Sequence, residues 1–213
     1  MTIFFVANSD SQTAANLAVA YRIAAPTDIR LFDKDALRGN LYLHLSGEKR
    51  AIFSMSHGSP FAIFDSQGVE AVAESDGIAL SGFKVYAWAC LTAKSLGGIL
   101  AKKNIYWWGY DTSVTAPDDR QRYIGIFSEV LSVAKDNFEH GVDRASVETV
   151  LDLIRDACHE AELKLDYIGA GDDENAMELY SCCYQIWSRL CMWLPGGSEP
   201  IKHAEAPPAY IEM

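Results

Sequence analysis

Positive charge is what this chain is short of. Its 213 residues carry 18 Lys and Arg against 29 Asp and Glu, a formal net charge of −11, and the pI is near 4.8. Non-specific nucleic-acid binding and adhesion to anionic membranes both need basic faces, so neither is expected. Cysteine is scarce and unpatterned: five residues, an odd number, with Cys182 and Cys183 adjacent and no C-x-x-C. This suits neither a metal site nor a disulfide framework. It points to a reducing, cytoplasmic compartment in which most cysteines are small core hydrophobes. Long apolar runs are missing too. MTIFFVANSD has no basic segment before its short apolar stretch, and YSCCYQIWSRLCMWL is interrupted by Arg189 and too short to span a bilayer. Nucleotide and serine-hydrolase signatures are absent: there is no G-x-x-x-x-G-K-[ST] and no G-x-S-x-G. Cys158-His159 lacks further ligands at zinc spacing, so neither metal nor cofactor is expected.

What is present is ordinary globular material, 49% hydrophobic and 22% charged. A chain of this length buries about 70% of its surface as one domain, enough for a core without disulfides or metal. Short apolar runs at 3–7, 29–32, 51–55, 84–89 and 105–110 read as buried strands, with a further one at 165–168. Ser9 and Gln12 fit a capping box opening a helix to about Ile23, stopped by Pro26. Asp65-Ser66-Gln67-Gly68 is a turn signal between two short strands, a hairpin after the third core strand. Residues 33–48 are ambiguous. Helical periodicity places Phe127, Val130, Leu131, Ala134 and Phe138 on one face, and Val147, Val150, Leu151, Ile154 and Cys158 on another. A last helix is expected over 175–194, closing a domain over 1–195, with 196–213 a mobile tail. Strands alternating with helices imply an α/β fold: a mostly parallel central sheet with helices on both faces.

Ligands of such sheets bind beyond the carboxyl ends of the strands, so the residues at those exits matter most. Two His-Gly pairs provide an internal contrast. His140-Gly141 ends an amphipathic helix, where Gly supplies a left-handed residue and His suits the negative helix end. His57-Gly58 instead follows a buried strand. Cys158, Cys183 and Cys191 sit on apolar helix faces and read as core, whereas Cys90 ends KVYAWAC just before an expected helix, whose N-terminus favours thiolate. His57 and Cys90, at the exits of two successive core strands, form a candidate base–nucleophile pair. The N–H groups of Gly58 and Cys90 form a candidate oxyanion hole. Trp107-Trp108 reads most simply as strand packing. The loop over 169–173 is the natural place for a nucleotide or effector, although Asp172-Asp173 would repel a phosphate.

Strand-SHG followed by strand-AC-x-T resembles the caspase-like cysteine peptidases of clan CD. ACLTA, its Gly-bearing helix and IYWWGY resemble the CHAT branch related to separases. The resemblance spans roughly residues 1–170 in element order and is specific only at the His57 and Cys90 segments. It implies a three-layer caspase-haemoglobinase-like sandwich and a Cys–His dyad endopeptidase in regulated defence or signalling proteolysis. His57 aligns with the catalytic histidine, Cys90 with the nucleophile and Gly58 with the oxyanion donor. Asn8 stands where legumain-like relatives place a residue that orients the histidine, though a plain turn Asn reads equally well there. The expected partners are a protein or peptide substrate and, by the same resemblance, an activating protein. The first strand exit carries no Arg for an acidic substrate side chain. The loop after IYWWGY, which contributes to the pocket in separase-like relatives, carries Asp111, Asp118 and Asp119. Cleavage after Arg or Lys is therefore expected, with Asp111 the first candidate and Asp118 the second; Arg120 and Arg122 follow closely and could neutralise them. A catalytically inactive binding module on the same fold is the first alternative reading, and a nucleotide- or effector-binding doubly wound domain the second.

Overall fold

Six short strands build the centre of the protein: β1 (Thr2–Val6), β2 (Ile29–Phe32), β3 (Ala51–Met55), β6 (Lys84–Trp88), β7 (Tyr106–Tyr110) and β8 (Leu190–Trp193). The computed structural model describes residues 1–46, 50–140, 143 and 145–208, and the side chain of Gln12 lies outside this description. The strand order is β2-β1-β3-β6-β7-β8. The first five are parallel and β8 runs antiparallel to β7. Strands buried on both faces read as unbroken apolar runs, which is why TIFFV and YWWGY carry no polar alternation.

The pleat sorts those runs. Phe4, Val6, Phe53, Met55, Tyr86, Trp88, Trp108 and Tyr110 face helices α1 (Ser11–Ile23), α4 (Gln121–His140), α5 (Val147–Tyr167) and α6 (Ala176–Ser188). Ile3, Phe5, Ile52, Val85, Ala87 and Trp107 face α2 (Arg38–Leu43), α3 (Leu96–Ala101) and the antiparallel hairpin β4 (Ala62–Phe64)–β5 (Glu70–Ala73). The result is an α/β protein with layers of helix, sheet and helix, and the hairpin lies where its turn signal predicts. Trp107 and Trp108 are fully buried on opposite faces, which is strand packing. Burying each large apolar side chain contributes about 1.5–3 kcal/mol, so these two layers dominate the stability. Residues 33–48, ambiguous in sequence, contain a 3-10 turn and α2. Arg38 and Tyr42 both reach the buried Asp76 carboxylate, tying α2 to the segment after the hairpin. Among the described residues no helix is long and apolar enough to cross a membrane.

Several expectations are corrected. Asp10 and Thr13 cap α1 reciprocally: Thr13 N–H donates to Asp10 Oδ1 (3.1 Å) and Asp10 N–H to Thr13 Oγ1 (3.3 Å), while the expected Ser9–Gln12 box needs the Gln12 side chain and so lies outside the described residues. Residues 165–168 are not a strand. Leu165 continues the buried stripe of α5 one turn beyond Ala161, and the helix runs on to Tyr167. The final helix stops at Ser188, and Leu190–Trp193 becomes the edge strand β8. A short apolar run does not distinguish helix from strand by periodicity, which accounts for both errors. The start of the expected mobile tail is docked. Met192 and Ile201 exchange backbone hydrogen bonds (2.9 and 2.8 Å), and His203 is buried with Nε2 2.9 Å from Asp152 Oδ1. Residues 209–213 lie outside the described part, as does Gly141 of the second His-Gly pair. His140 Nδ1 bonds the Asp136 carbonyl at 2.6 Å, as a helix-terminal histidine does.

Candidate active site

The register of the two central strands determines the site. Met55 pairs with Trp88, and the Ser56 N–H continues the ladder to Trp88 O at 3.2 Å. The pairing ends there, and His57 and Cys90 lie two residues further on, in the bends and turns beyond the two strand ends. A cleft of about 520 Å³ opens there, lined by His57 and Cys90 together with residues of α1, of the loop after β7 and of the start of α6.

Gly58 is needed for this approach. It pairs with Ile63 of the hairpin through its neighbours' groups: Ser59 N–H donates to Ala62 O (2.8 Å) and Phe64 N–H to His57 O (3.0 Å). This is a non-hydrogen-bonded pair, so the Gly58 N–H is not engaged by Ile63. A Cβ at Gly58 would stand 2.6 Å from the Cys90 carbonyl oxygen and 2.8 Å from Thr92 Cγ2. Only glycine lets the two strand exits lie this close. Among the described residues neither the Gly58 nor the Cys90 N–H donates to a protein acceptor. Leu91, directly after Cys90, has φ of 63°, a left-handed conformation unfavourable for a branched side chain and typical of functional turns. Its N–H donates to Thr112 O at 3.0 Å, fixing the turn to the loop after β7.

Comparison of the chain with family models, curated proteins and solved structures finds no match.

Two partners of the pair escape sequence reasoning. His57 Nε2 lies 2.7 Å from Asp10 Oδ2. Burial opposes ionisation of Asp10, but the hydrogen bond and charge of His57, with the Thr13 bonds, outweigh it and hold the carboxyl below its ordinary value. Asn8 does not take this role: its Nδ2 reaches Asp33 Oδ1 at 3.4 Å. The helix cap of α1 thus doubles as the histidine's partner, and the S/D-rich start of α1 was the only signal for it. The second partner is Val114, whose N–H donates to Cys90 Sγ (3.4 Å) and whose carbonyl oxygen lies 3.7 Å from that sulfur. Cys90 does not sit at a helix N-terminus: turns separate it from α3, which starts at Leu96.

The other four cysteines are buried. Burial pushes the Cys183 and Cys191 thiols up to about 12 and raises Cys158 and Cys182 well above the ordinary range. Cys90 alone among the five is partly exposed.

The acidic candidates separate. Asp111 does not line the cleft; it pairs with Lys202 from the docked C-terminal segment. Asp118 does line it, but Arg120 grips both of its oxygens, with Nε–Oδ1 at 2.9 Å and Nη2–Oδ2 at 2.7 Å. That bidentate pair holds the Asp118 carboxyl below its usual value. Arg120 and Arg122 also pair with Asp173. The 169–173 loop follows helix α5 rather than a strand, with Gly169 as its left-handed C-terminal residue (φ 73°), so it does not occupy a strand exit where a nucleotide would bind.

Proposed function

We propose that this protein is a cysteine endopeptidase with a His57–Cys90 dyad on a caspase-haemoglobinase-like fold, acting in the cytoplasm in regulated proteolysis. The observation that supports the reading is that His57 and Cys90, just beyond the ends of two paired strands, line one cleft, with the Gly58 and Cys90 N–H groups unengaged among the described residues. The sulfur of Cys90, as thiolate, attacks a peptide carbonyl carbon and forms a C–S bond, and the carbonyl oxygen takes the negative charge. Gly58 and Cys90 N–H groups are the donors for that oxyanion. On collapse the C–N bond breaks and the amine leaves with the proton of His57. A water molecule then attacks the thioester as His57 removes its proton, the C–S bond breaks, and the carboxylic acid departs. With Nε2 held by Asp10, Nδ1 is the ring nitrogen left for proton transfer.

Digestion of an unbiased peptide mixture, read by mass spectrometry, tests the proposal. Discrete cleavage products from the wild type and none from Cys90→Ala are expected. Equal products from both proteins would overturn the nucleophile.

A further inference from the structure

One buried polar atom in the cleft has no hydrogen-bond partner among the described residues. Asn16, on the inner side of α1, is 3% exposed, lines the cleft, and its Oδ1 makes no hydrogen bond. A buried carbonyl oxygen left unbonded is costly, so a vacant acceptor lining a cleft is a place for a ligand donor. Of the five orphaned side-chain atoms among the described residues, it is the one that lines this cleft. The walls beside it include Trp88, Ala116 and Leu179, which suit an alkyl stem. Asp119 and Glu178 also line the cleft. Both are exposed, and neither is ion-paired among the described residues, in contrast to Asp118 with its Arg120.

From this arrangement we infer that the cleft is a specificity pocket for a cationic side chain, Lys or Arg, on the residue before the scissile bond. Asn16 Oδ1 accepts its N–H, and Asp119 and Glu178 supply the charge preference. The inference rests on the peptidase reading and replaces Asp111 and Asp118 as the basis for a basic preference. The residue before the cut bond is the one concerned, because its carbonyl is the group bonded to Cys90 in the same cleft. An acidic side chain has no donor for Asn16 and meets two carboxylates. An apolar one leaves Asn16 unbonded, and rejection of ligands that strand a buried polar group is the stronger form of discrimination.

Two readouts keep this separable from the peptidase reading. In a positional peptide library, basic residues are expected before the cut. Asn16→Leu should lower kcat/KM for those peptides about tenfold, and Asn16→Asp, which keeps an acceptor, should retain them. The exposed pair Asp119→Asn and Glu178→Gln should lower it several-fold, with a loss that shrinks at high salt. Independently of turnover, agmatine, an alkyl guanidinium, should bind the Cys90→Ala chain and bind more weakly after Asn16→Leu. Agmatine binding without any peptide cleavage would support the pocket and sink the peptidase. Cleavage with an acidic or apolar preference, or agmatine binding indifferent to Asn16, Asp119 and Glu178, would overturn the pocket.

Discussion

Cys90 and the cysteines between α5 and α6 are the same residue type under opposite physics. Cys158, Cys182 and Cys183 are sealed in the helical layer, where burial disfavours thiolate and keeps reagents out. Cys90 stands at a strand exit, partly exposed, beside a left-handed residue and a glycine that admits no Cβ. The difference teaches that position on the sheet, rather than residue type, separates packing from chemistry. A helix face offers sulfur a close-packed apolar slot, whereas the carboxyl end of a parallel strand leaves side chains and N–H groups facing a cleft. The two His-Gly pairs repeat the contrast. His140 bonds the carbonyl of its own helix turn, while His57 bonds a carboxylate 47 residues away in sequence.

The largest expected effect breaks this comparison directly. Cys90→Ala should reduce peptide cleavage by about 10⁴-fold or more while leaving thermal stability unchanged. Cys158→Ala should do the reverse, costing about 1–2 kcal/mol in denaturant unfolding with cleavage rates preserved. Activity surviving the first substitution, or lost through the second, would erase the distinction.

Gly58→Ala comes next. Its Cβ would lie 2.6 Å from a backbone oxygen, so one of the two strand exits must move. A loss of about 1–3 kcal/mol in stability is expected, together with cleavage falling about 10²-fold, since the same shift displaces the proposed oxyanion donor. Wild-type rates from this variant would show that the close approach is incidental.

Asp10→Asn sharpens the account with a smaller effect. Asparagine caps a helix as well as aspartate does, so α1 should persist while the charge facing His57 is removed. Cleavage should fall about tenfold. The sign for stability follows from the lowered carboxyl of Asp10. Its contribution is present above the unfolded value, near 3.8, and is lost as pH falls through the lower folded value. The wild type should therefore melt above the variant at pH 5, with the gap closing as the pH falls below 3.8; a gap that widens in acid would contradict the His57–Asp10 pairing.

The layout of the sheet and the two strand exits were legible in the sequence because buried parallel strands are short, apolar and bounded. The rest depended on contacts between distant segments. Asp10 meets His57 only because α1 folds back along the sheet, and Asp111 loses its place in the cleft to Lys202, 91 residues later. Val114 and Asn16 carry no local pattern at all: one acts through its backbone, and the other through an acceptor that lacks a partner. The misplaced last strand has a local cause. KLDYI and LCMW are both short apolar segments, and the helical stripe inherited from Ala161 decides for the first while pairing with β7 decides for the second.

The central claim, a nucleophilic Cys90 served by His57, is tested most directly by a peptidyl acyloxymethyl ketone added to the folded protein and followed by intact mass and peptide mapping. The account predicts one thioether adduct, on Cys90, formed at a rate greatly reduced in His57→Ala and absent in Cys90→Ala. An adduct on any of the four other cysteines, or a rate on Cys90 indifferent to His57, would contradict it.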